Sequence, residues 1–270
     1  MTRLKSLARL LPPPLRSPVR AIWRQWKGNV EFHVLGVLAE KDKIALDVGA
    51  NCGVYTVVLA RQAKACVAFE PNPPMAEATT QLASREGLNN VQVQSCALSD
   101  QETEVTFRVP IVNGEEVAAL ATIEGENQLD GAHVRTYTVP CRRLDSFELD
   151  AVGLIKIDAE GHETAILDGA TKLIERDLPA VMIEVEERHK KGSVAYVQQF
   201  FQDRGYKSYF LIGRQLRPFD QFDPAKHQDP SSIQAEKVRF DAVYVNNFIF
   251  AADSRRIALL DKISSTGRSF

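Results

Sequence analysis

The sequence predicts an α/β fold in which a mostly parallel sheet carries helices on both faces. The first observation is residues 43–70, where an apolar run, a turn marked by glycines, a segment of helical spacing and a second apolar run follow each other. The second is that short apolar runs keep alternating with segments of helical spacing until residue 245. With 270 residues, of which 44% are hydrophobic, the chain can bury one good core.

The first part of this fold is a β-α-β unit. Its two strands are predicted at residues 44–48 and 65–69, because both runs are short and apolar. Val54, Val57 and Val58 recur at helical spacing between them and predict the connecting helix.

The turn of this unit and the residue after its second strand together predict an adenosine site. Gly49 and Gly53 allow positive φ and a close approach of a ligand to the backbone, and the N–H groups of the helix start are donors. Glu70 follows the second strand, where a carboxylate can accept both hydroxyls of a ribose. Asn51 stands where the dinucleotide fingerprint has its second glycine, so an adenosine without a pyrophosphate is predicted.

The middle of the chain predicts a helix, a third strand and a hairpin. Pro73 starts the helix, and residues 91–95 alternate as the strand. Alternation at residues 105–107 and 137–139 predicts a β-hairpin or an edge pair of strands. The long loop between them, residues 113–131, is predicted to be a lid on the substrate side.

The last part of the chain continues the alternation of strands and helices. Gly161 opens one predicted helix, and Gly205 ends the next. The strands are predicted at residues 154–157, 180–185, 206–212 and 240–245.

Four ionisable side chains gather at the carboxyl end of the strand at 154–157, where open α/β sheets bind their ligands. His162 is the natural general base, because its free pKa is about 6.5, and Asp158 or Glu160 would orient it. Structural alternatives stay open at this point. Lys156 and Asp158 would form a buried ion pair, and Glu160 and Glu163 would cap or complement the N-terminus of the following helix. His162 would be a hydrogen-bonding residue at the start of that helix.

A metal-assisted mechanism is a further alternative. Asp158, together with Glu184 and Glu186 at the end of the next strand, would offer carboxylates to Mg²⁺. The ion would then lower the pKa of a substrate hydroxyl. The sequence favours a site without a metal. Glu186 would then lie at the solvated end of its strand.

The distribution of charge along the chain limits the kinds of molecule that it is expected to bind. Residues 1–30 hold seven Lys or Arg and no acid, which is a charge of +7. Because the net charge of the whole chain is −2, residues 31–270 carry a net charge of −9. An acidic domain without a basic run is a poor partner for nucleic acid. The arm is expected either to contact an anionic membrane surface or to pack across the catalytic domain.

The predicted organisation is a basic arm at 1–30, a catalytic domain at 31–250 and a C-terminal tail at 251–270. Four scattered cysteines without a C-x-x-C pair predict a cytoplasmic protein with reduced thiols. All apolar runs are shorter than the roughly 20 residues that cross a bilayer, so no transmembrane helix is predicted.

Three stretches resemble the FkbM family of S-adenosylmethionine-dependent methyltransferases. They read DVGANCGVYT at 47–56, FEPNP at 69–73 and LIKIDAEGHE at 154–163, in the right order. The resemblance implies a Rossmann-like class I methyltransferase fold, with a mostly parallel, seven-stranded sheet whose last strand is antiparallel. It also implies methyl transfer from S-adenosylmethionine to a hydroxyl oxygen of a small molecule or a sugar or glycan.

The candidate residues follow from these stretches and from the strand ends. The candidate catalytic residues are Lys156, Asp158, Glu160 and His162. The candidate cofactor-binding residues are Asp47, Gly49, Asn51, Gly53, Glu70, Asn72 and Asp100. Asp100, or Cys96 near it, ends the third strand, where this fold lines the adenine ring.

Three other functions are alternatives to O-methylation. N-methylation needs no strong base, and a catalytically inactive member would serve as an interaction subunit. Gly49, Gly53 and Glu70 favour a working cofactor site over that second alternative. A nicotinamide dehydrogenase is disfavoured by Asn51 and by the absence of a Tyr-x-x-x-Lys pair from the sequence.

Overall fold

A computed structural model describes residues 30–112, 115–116, 123, 133–234, 237–238 and 243–266. The predicted basic arm and its membrane contact lie outside these residues, apart from Val30. The predicted lid also lies outside them, apart from 115–116 and Ile123. Neither prediction is therefore tested.

Within the described residues, helices and strands alternate as the sequence predicts. The helices are α1 Val30–Leu38, α2 Val54–Gln62, α3 Pro73–Arg85, α4 Glu163–Asp168, α5 Thr171–Asp177, α6 Ser193–Gln202, α7 Pro224–His227 and α8 Ser254–Thr266. The strands are β1 Ile44–Val48, β2 Ala65–Phe69, β3 Val91–Gln94, β4 Ala97–Leu98, β5 Thr103–Val112, β6 Glu115–Glu116, β7 His133–Arg142, β8 Val152–Ile157, β9 Ala180–Glu184, β10 Lys207–Ile212, β11 Gln215–Pro218, β12 Ile233–Gln234, β13 Lys237–Val238 and β14 Asn247–Ala251.

The large sheet has the order β11-β10-β14-β9-β8-β1-β2-β3. Strands β1, β2, β3, β8 and β9 run parallel, and β14 is antiparallel to both of its neighbours. The mostly parallel sheet and the antiparallel last strand are thus confirmed. The order reverses next to β1, so the carboxyl ends of β1 and β8 border a crevice of the kind that binds ligands in open α/β sheets.

Two details of this sheet differ from the prediction. The sheet has an eighth strand, β11, because a tight turn at Gly213, with φ of 57°, folds the chain back onto β10. The last strand is Asn247–Ala251, and no strand is formed by Val243–Val245, the described part of the predicted segment. There the side-chain amide of Gln228 donates to the carbonyls of Val185 and Val245, at 2.7 and 2.8 Å, and the N–H of Val185 donates to the carbonyl of Asn246.

Helices cover both faces of the sheet, as predicted. On one face, Leu46 and Ile155 of the sheet pack in a cluster with Leu173 of α5 and Phe201 of α6. Alternate strand residues point to the other face, where α1, α2 and α8 pack. Helix α8 lies in the segment that the sequence analysis sets apart as a tail, and its buried Arg256 donates to the carbonyl of Gly153 in β8.

The predicted helix after Gly161 is broken into α4 and α5. Gly169 lies at the break, and an added Cβ there would lie 1.9 Å from the carbonyl oxygen of Ser99. The gap between the two helices therefore admits the chain that follows β4.

A second, smaller sheet has the order β4-β7-β5-β6. Strands β5 and β7 pair antiparallel from Thr103 opposite Cys141 to Ile111 opposite His133, which confirms the predicted hairpin. Its Phe107 and Val109 pack with Ala97 in a small apolar cluster. This sheet lies beside the end of β3, next to the crevice.

Two further expectations concern the state of the cysteines and helices that could cross a membrane. All four cysteines are buried free thiols. In the described parts of the chain, no helix has the length and apolar character needed to cross a membrane.

Candidate functional site

A cavity lies at the carboxyl ends of β1, β2 and β8. Glu70 and Asn51 line one end of it, and Asp158, Glu160 and His162 line the other. The wall also includes the apolar side chains of Leu98, Phe107 and Ile123 and the thiol of Cys96. The cavity therefore joins the predicted adenosine site to the predicted catalytic residues.

Glu70 is held at the end of β2 by two backbone donors. Its Oε2 accepts the N–H of Asn51 at 2.7 Å, and its Oε1 accepts the N–H of Asn72 at 2.8 Å. Burial raises the pKa of this carboxyl to about 7, although the two hydrogen bonds oppose the shift. Each oxygen keeps a second lone pair, so the group suits the paired hydroxyls of a ribose.

The glycine turn has the predicted backbone conformation, but its two glycines lie close to other parts of the chain, where the sequence predicts a ligand. Gly49 and Gly53 have φ of +74° and +82°, which confirms the left-handed conformation. An added Cβ at Gly49 would lie 1.8 Å from the carbonyl oxygen of Asp158, and one at Gly53 would lie 2.8 Å from Thr79. The close approach therefore serves backbone packing between β1 and β8 at Gly49 and helix packing at Gly53.

Asp47 and Asn72 lie behind the cavity and not in its wall. Asp47 is fully buried, and its Oδ2 accepts the hydroxyl of Thr56 at 2.6 Å. Asn72 is also buried, and among the described residues its side-chain amide has no hydrogen-bond partner. Both residues support the strand ends that carry Gly49 and Glu70.

Lys156 is the centre of a buried ionic cluster below the cavity. Its Nζ donates to Asp158 Oδ2 at 3.1 Å and lies 3.9 Å from Asp47 Oδ1 and 4.5 Å from the centre of the Tyr55 ring. Burial would lower the pKa of Lys156, but the carboxylates of Asp158 and Asp47 raise it above its usual value. The ion-pair interpretation of Lys156 therefore agrees with the geometry.

Glu160 lies in the left-handed region, with φ of +48°, which is uncommon for a residue with a side chain. Its carboxyl lies 3.2 Å from His189 Nε2. Burial and the nearby carboxylates of Asp158 and Glu186 raise its pKa well above its usual value. The turn is closed by Glu163, which accepts the N–H of Gly161 at 3.0 Å.

His162 contacts a residue that the sequence analysis did not single out. Its Nε2 lies 2.9 Å from Ser99 Oγ, whereas Asp158 or Glu160 was expected to orient it. The Ser99 hydroxyl donates to Asp100 Oδ1 at 3.0 Å. Asp100 therefore lies near His162 and outside the cavity wall. The sequence analysis instead predicts it at the edge of the adenine ring.

The three carboxylates proposed for Mg²⁺ have protein partners. Glu186 accepts from Arg188 and Tyr244; although burial would raise its pKa, hydrogen bonds from His189, Arg188 and Tyr244 hold it at about 2. Glu184 accepts from the side-chain amide of Asn246. Across the described ranges, no three His, Cys, Asp or Glu side chains are grouped to hold a metal ion.

Parts of this chain are similar in sequence to known proteins. A hexuronic acid methyltransferase, AglP of Haloferax volcanii, is 26% identical over 178 residues, which cover 62% of this chain and 67% of that protein. The AMB antimetabolite synthetase AmbE of Pseudomonas aeruginosa is 26% identical over 194 residues, which cover 59% of this chain. The chain spans only 9% of AmbE.

Two solved structures have similar backbones. The methyltransferase FkbM of Methylobacillus flagellatus KT is 15% identical with a TM-score of 0.47, covering 92% of this chain and 57% of that one. A methyltransferase of Streptococcus mutans in complex with SAH is 13% identical with a TM-score of 0.45, covering 82% of this chain and 96% of that one. This chain thus spans little more than half of the M. flagellatus protein.

The family itself is identified by a match over the residues that build the site. Residues 47–208 match the Methyltransferase FkbM domain. They begin at Asp47 in β1 and end in β10, so they include both ends of the cavity. Because the matched residues make up more than half of the chain, this protein belongs to the FkbM methyltransferase family.

Proposed function

We propose that this protein transfers a methyl group from S-adenosylmethionine to a hydroxyl oxygen of a sugar or glycan. The observation that carries the proposal is the single cavity with Glu70 at one end and Asp158, Glu160 and His162 at the other. Family membership supports methyl transfer, and the hexuronic acid methyltransferase AglP supports a sugar acceptor.

The Glu70 end of the cavity fits the nucleoside part of the cofactor. The buried carboxylate would accept the two ribose hydroxyls while Asn51 and Asn72 hold it in place. The apolar wall of Leu98 and Phe107 would cover the adenine ring. S-adenosylmethionine supplies a methyl group on a positively charged sulfur, which is open to attack by an oxygen nucleophile.

The other end of the cavity supplies the groups that a hydroxyl acceptor needs. The acceptor oxygen must lose its proton as it bonds to the methyl carbon and the bond from that carbon to sulfur breaks, and His162 would take that proton. The raised pKa of Glu160 favours the protonated carboxyl, which would donate a hydrogen bond to a neighbouring acceptor oxygen and fix its orientation.

The charge of this end favours a hydroxyl over a carboxylate as the reacting group. A hexuronic acid has both kinds of oxygen. A reacting carboxylate would enter an end of the cavity lined by Asp158 and Glu160, and Asp158 is paired with Lys156. The acidic side chains there would disfavour a further anion where water is excluded. A hydroxyl meets no such cost, and it is the group that needs a base.

The proposal is tested with S-adenosylmethionine labelled in the methyl group and an oligosaccharide that ends in glucuronic acid. We expect the label to enter the sugar and to resist mild alkali, because methyl ethers survive alkali and methyl esters do not. The carboxyl-reduced oligosaccharide is the matched control for recognition of the acid. Release of the label by alkali would refute the hydroxyl acceptor, and no incorporation would refute the uronic acid class.

A further inference from the structure

We propose that His189 is a positioning residue that holds the carboxyl of Glu160 at the end of the cavity where the acceptor binds. The inference rests on the proposed function and deepens it, because Glu160 is the group proposed to bind and orient the acceptor. His189 is not among the candidate residues of the sequence analysis. Its contact with Glu160 joins the loop after β9 to the turn after β8.

The imidazole of His189 lies between two carboxyl groups and is nearer to Glu160. Its Nε2 is 3.2 Å from Glu160 Oε2 and 3.7 Å from Glu186 Oε1. Nε2 is buried, and no described residue accepts a well-aligned hydrogen bond from it. A protonated imidazole attracts a carboxylate at this distance, and a protonated carboxyl can donate to a neutral imidazole. One proton therefore joins the pair in either state.

The backbone of Glu160 is fixed independently of this contact. Glu163 accepts the N–H groups of Ala159 and Gly161, the residues on either side of Glu160, at 3.1 and 3.0 Å. These bonds determine where the side chain of Glu160 begins, but they leave its carboxyl to be placed by other contacts. His189 provides such a contact.

The other carboxyl groups at this end have basic partners of their own. Lys156 lies 3.1 Å from Asp158, and Arg188 lies 2.5 Å from Glu186. Both carboxylates repel the carboxylate form of Glu160 and would turn it away toward solvent. The imidazole gives Glu160 a basic partner as well, and so keeps its carboxyl at the cavity.

The loop that carries His189 is itself held by hydrogen bonds. The His189 N–H donates to the carbonyl of Glu186 at 3.1 Å. The carboxyl of Glu187 accepts the N–H groups of Gly192 and Val194, at 2.7 and 3.0 Å, where the loop enters α6. The imidazole therefore extends from a fixed backbone, as a positioning residue requires.

The first test follows methyl transfer to the glucuronic acid oligosaccharide. We expect His189→Leu to raise the acceptor KM roughly 5- to 10-fold with little change in kcat, because a contact that orients the acceptor is weakened while the base His162 is kept. The affinity for S-adenosylmethionine, measured by calorimetry, should stay unchanged and shows that the variant is folded. Lys191→Leu, exposed in the same loop, is the matched control. A wild-type acceptor KM in His189→Leu would overturn the inference.

A double-substitution cycle with Glu160→Ala separates positioning from a general effect on stability. If His189 acts through Glu160, His189→Leu raises the KM no further in the Glu160→Ala protein, whereas effects that multiply would refute the inference. The same cycle is read without an acceptor from the midpoints of urea unfolding, where the shift of the double variant should be smaller than the sum of the single shifts. Additive shifts would refute the pair. Coupled shifts in a protein that methylates no oligosaccharide would refute the proposed function alone.

Discussion

Replacing Lys156 with methionine is expected to destabilise the protein by about 3–5 kcal/mol. Lys156 is 4% exposed and is the cation beside Asp47 and Asp158. Methionine fills a similar volume, so the loss comes from the charge. Asp47 would be left fully buried with Thr56 as its side-chain hydrogen-bond donor. The free energy of unfolding in urea measures the effect.

Two variants separate the charge effect from simple loss of packing. Lys172→Met, on the exposed surface of α5, is the matched control and should change the stability by less than about 0.5 kcal/mol. Adding Asp47→Asn to Lys156→Met removes the unpaired carboxylate and should restore part of the lost stability. Equal stability of the two Lys→Met variants would show that the buried cluster contributes nothing.

Replacing His162 with asparagine is expected to lower kcat by about 10²- to 10⁴-fold, the usual contribution of a general base. Asparagine keeps a polar side chain at the start of α4, yet it cannot take a proton at neutral pH. His162 lies at the end of the cavity opposite Glu70, so the affinity for S-adenosylmethionine should be unchanged. Initial rates with the glucuronic acid oligosaccharide, together with calorimetry, measure the two effects.

The matched control for this variant is His133→Asn, because His133 is exposed on β7. It should leave both the rate and the affinity as they are. If His162→Asn keeps the wild-type rate, the base is another group. If it loses affinity for the cofactor in proportion to its rate, His162 supports the cofactor site and not proton transfer.

Much of the fold follows from local patterns, because the decisive interactions are close in sequence. The β-α-β unit needs only apolar periodicity and the positive φ of Gly49 and Gly53, and both are evident from the sequence. The role of Glu70 is likewise predictable, since a carboxylate at the end of the second strand of such a sheet is the expected acceptor for ribose hydroxyls. Its two donors, Asn51 and Asn72, belong to the same short stretches.

The remaining features depend on contacts between distant parts of the chain. Ser99 and His162 are 63 positions apart, and they meet where Gly169 divides the predicted helix. Gln228 bonds to Val185, 43 positions away, just before the last strand begins. A polar side chain that bridges two backbone segments has no local pattern in the sequence. Such contacts become visible only in the folded chain.

The account depends most on the cofactor, and calorimetric titration of the full-length protein with S-adenosylmethionine, S-adenosylhomocysteine and NAD tests it most directly. We expect the first two ligands to bind and NAD not to bind. Glu70→Ala should weaken their binding by about 1.5–3 kcal/mol, or roughly 10- to 150-fold, and Glu77→Ala, exposed on α3, should not. No binding of either methionine-derived ligand, or unchanged affinity in Glu70→Ala, would contradict the proposed site.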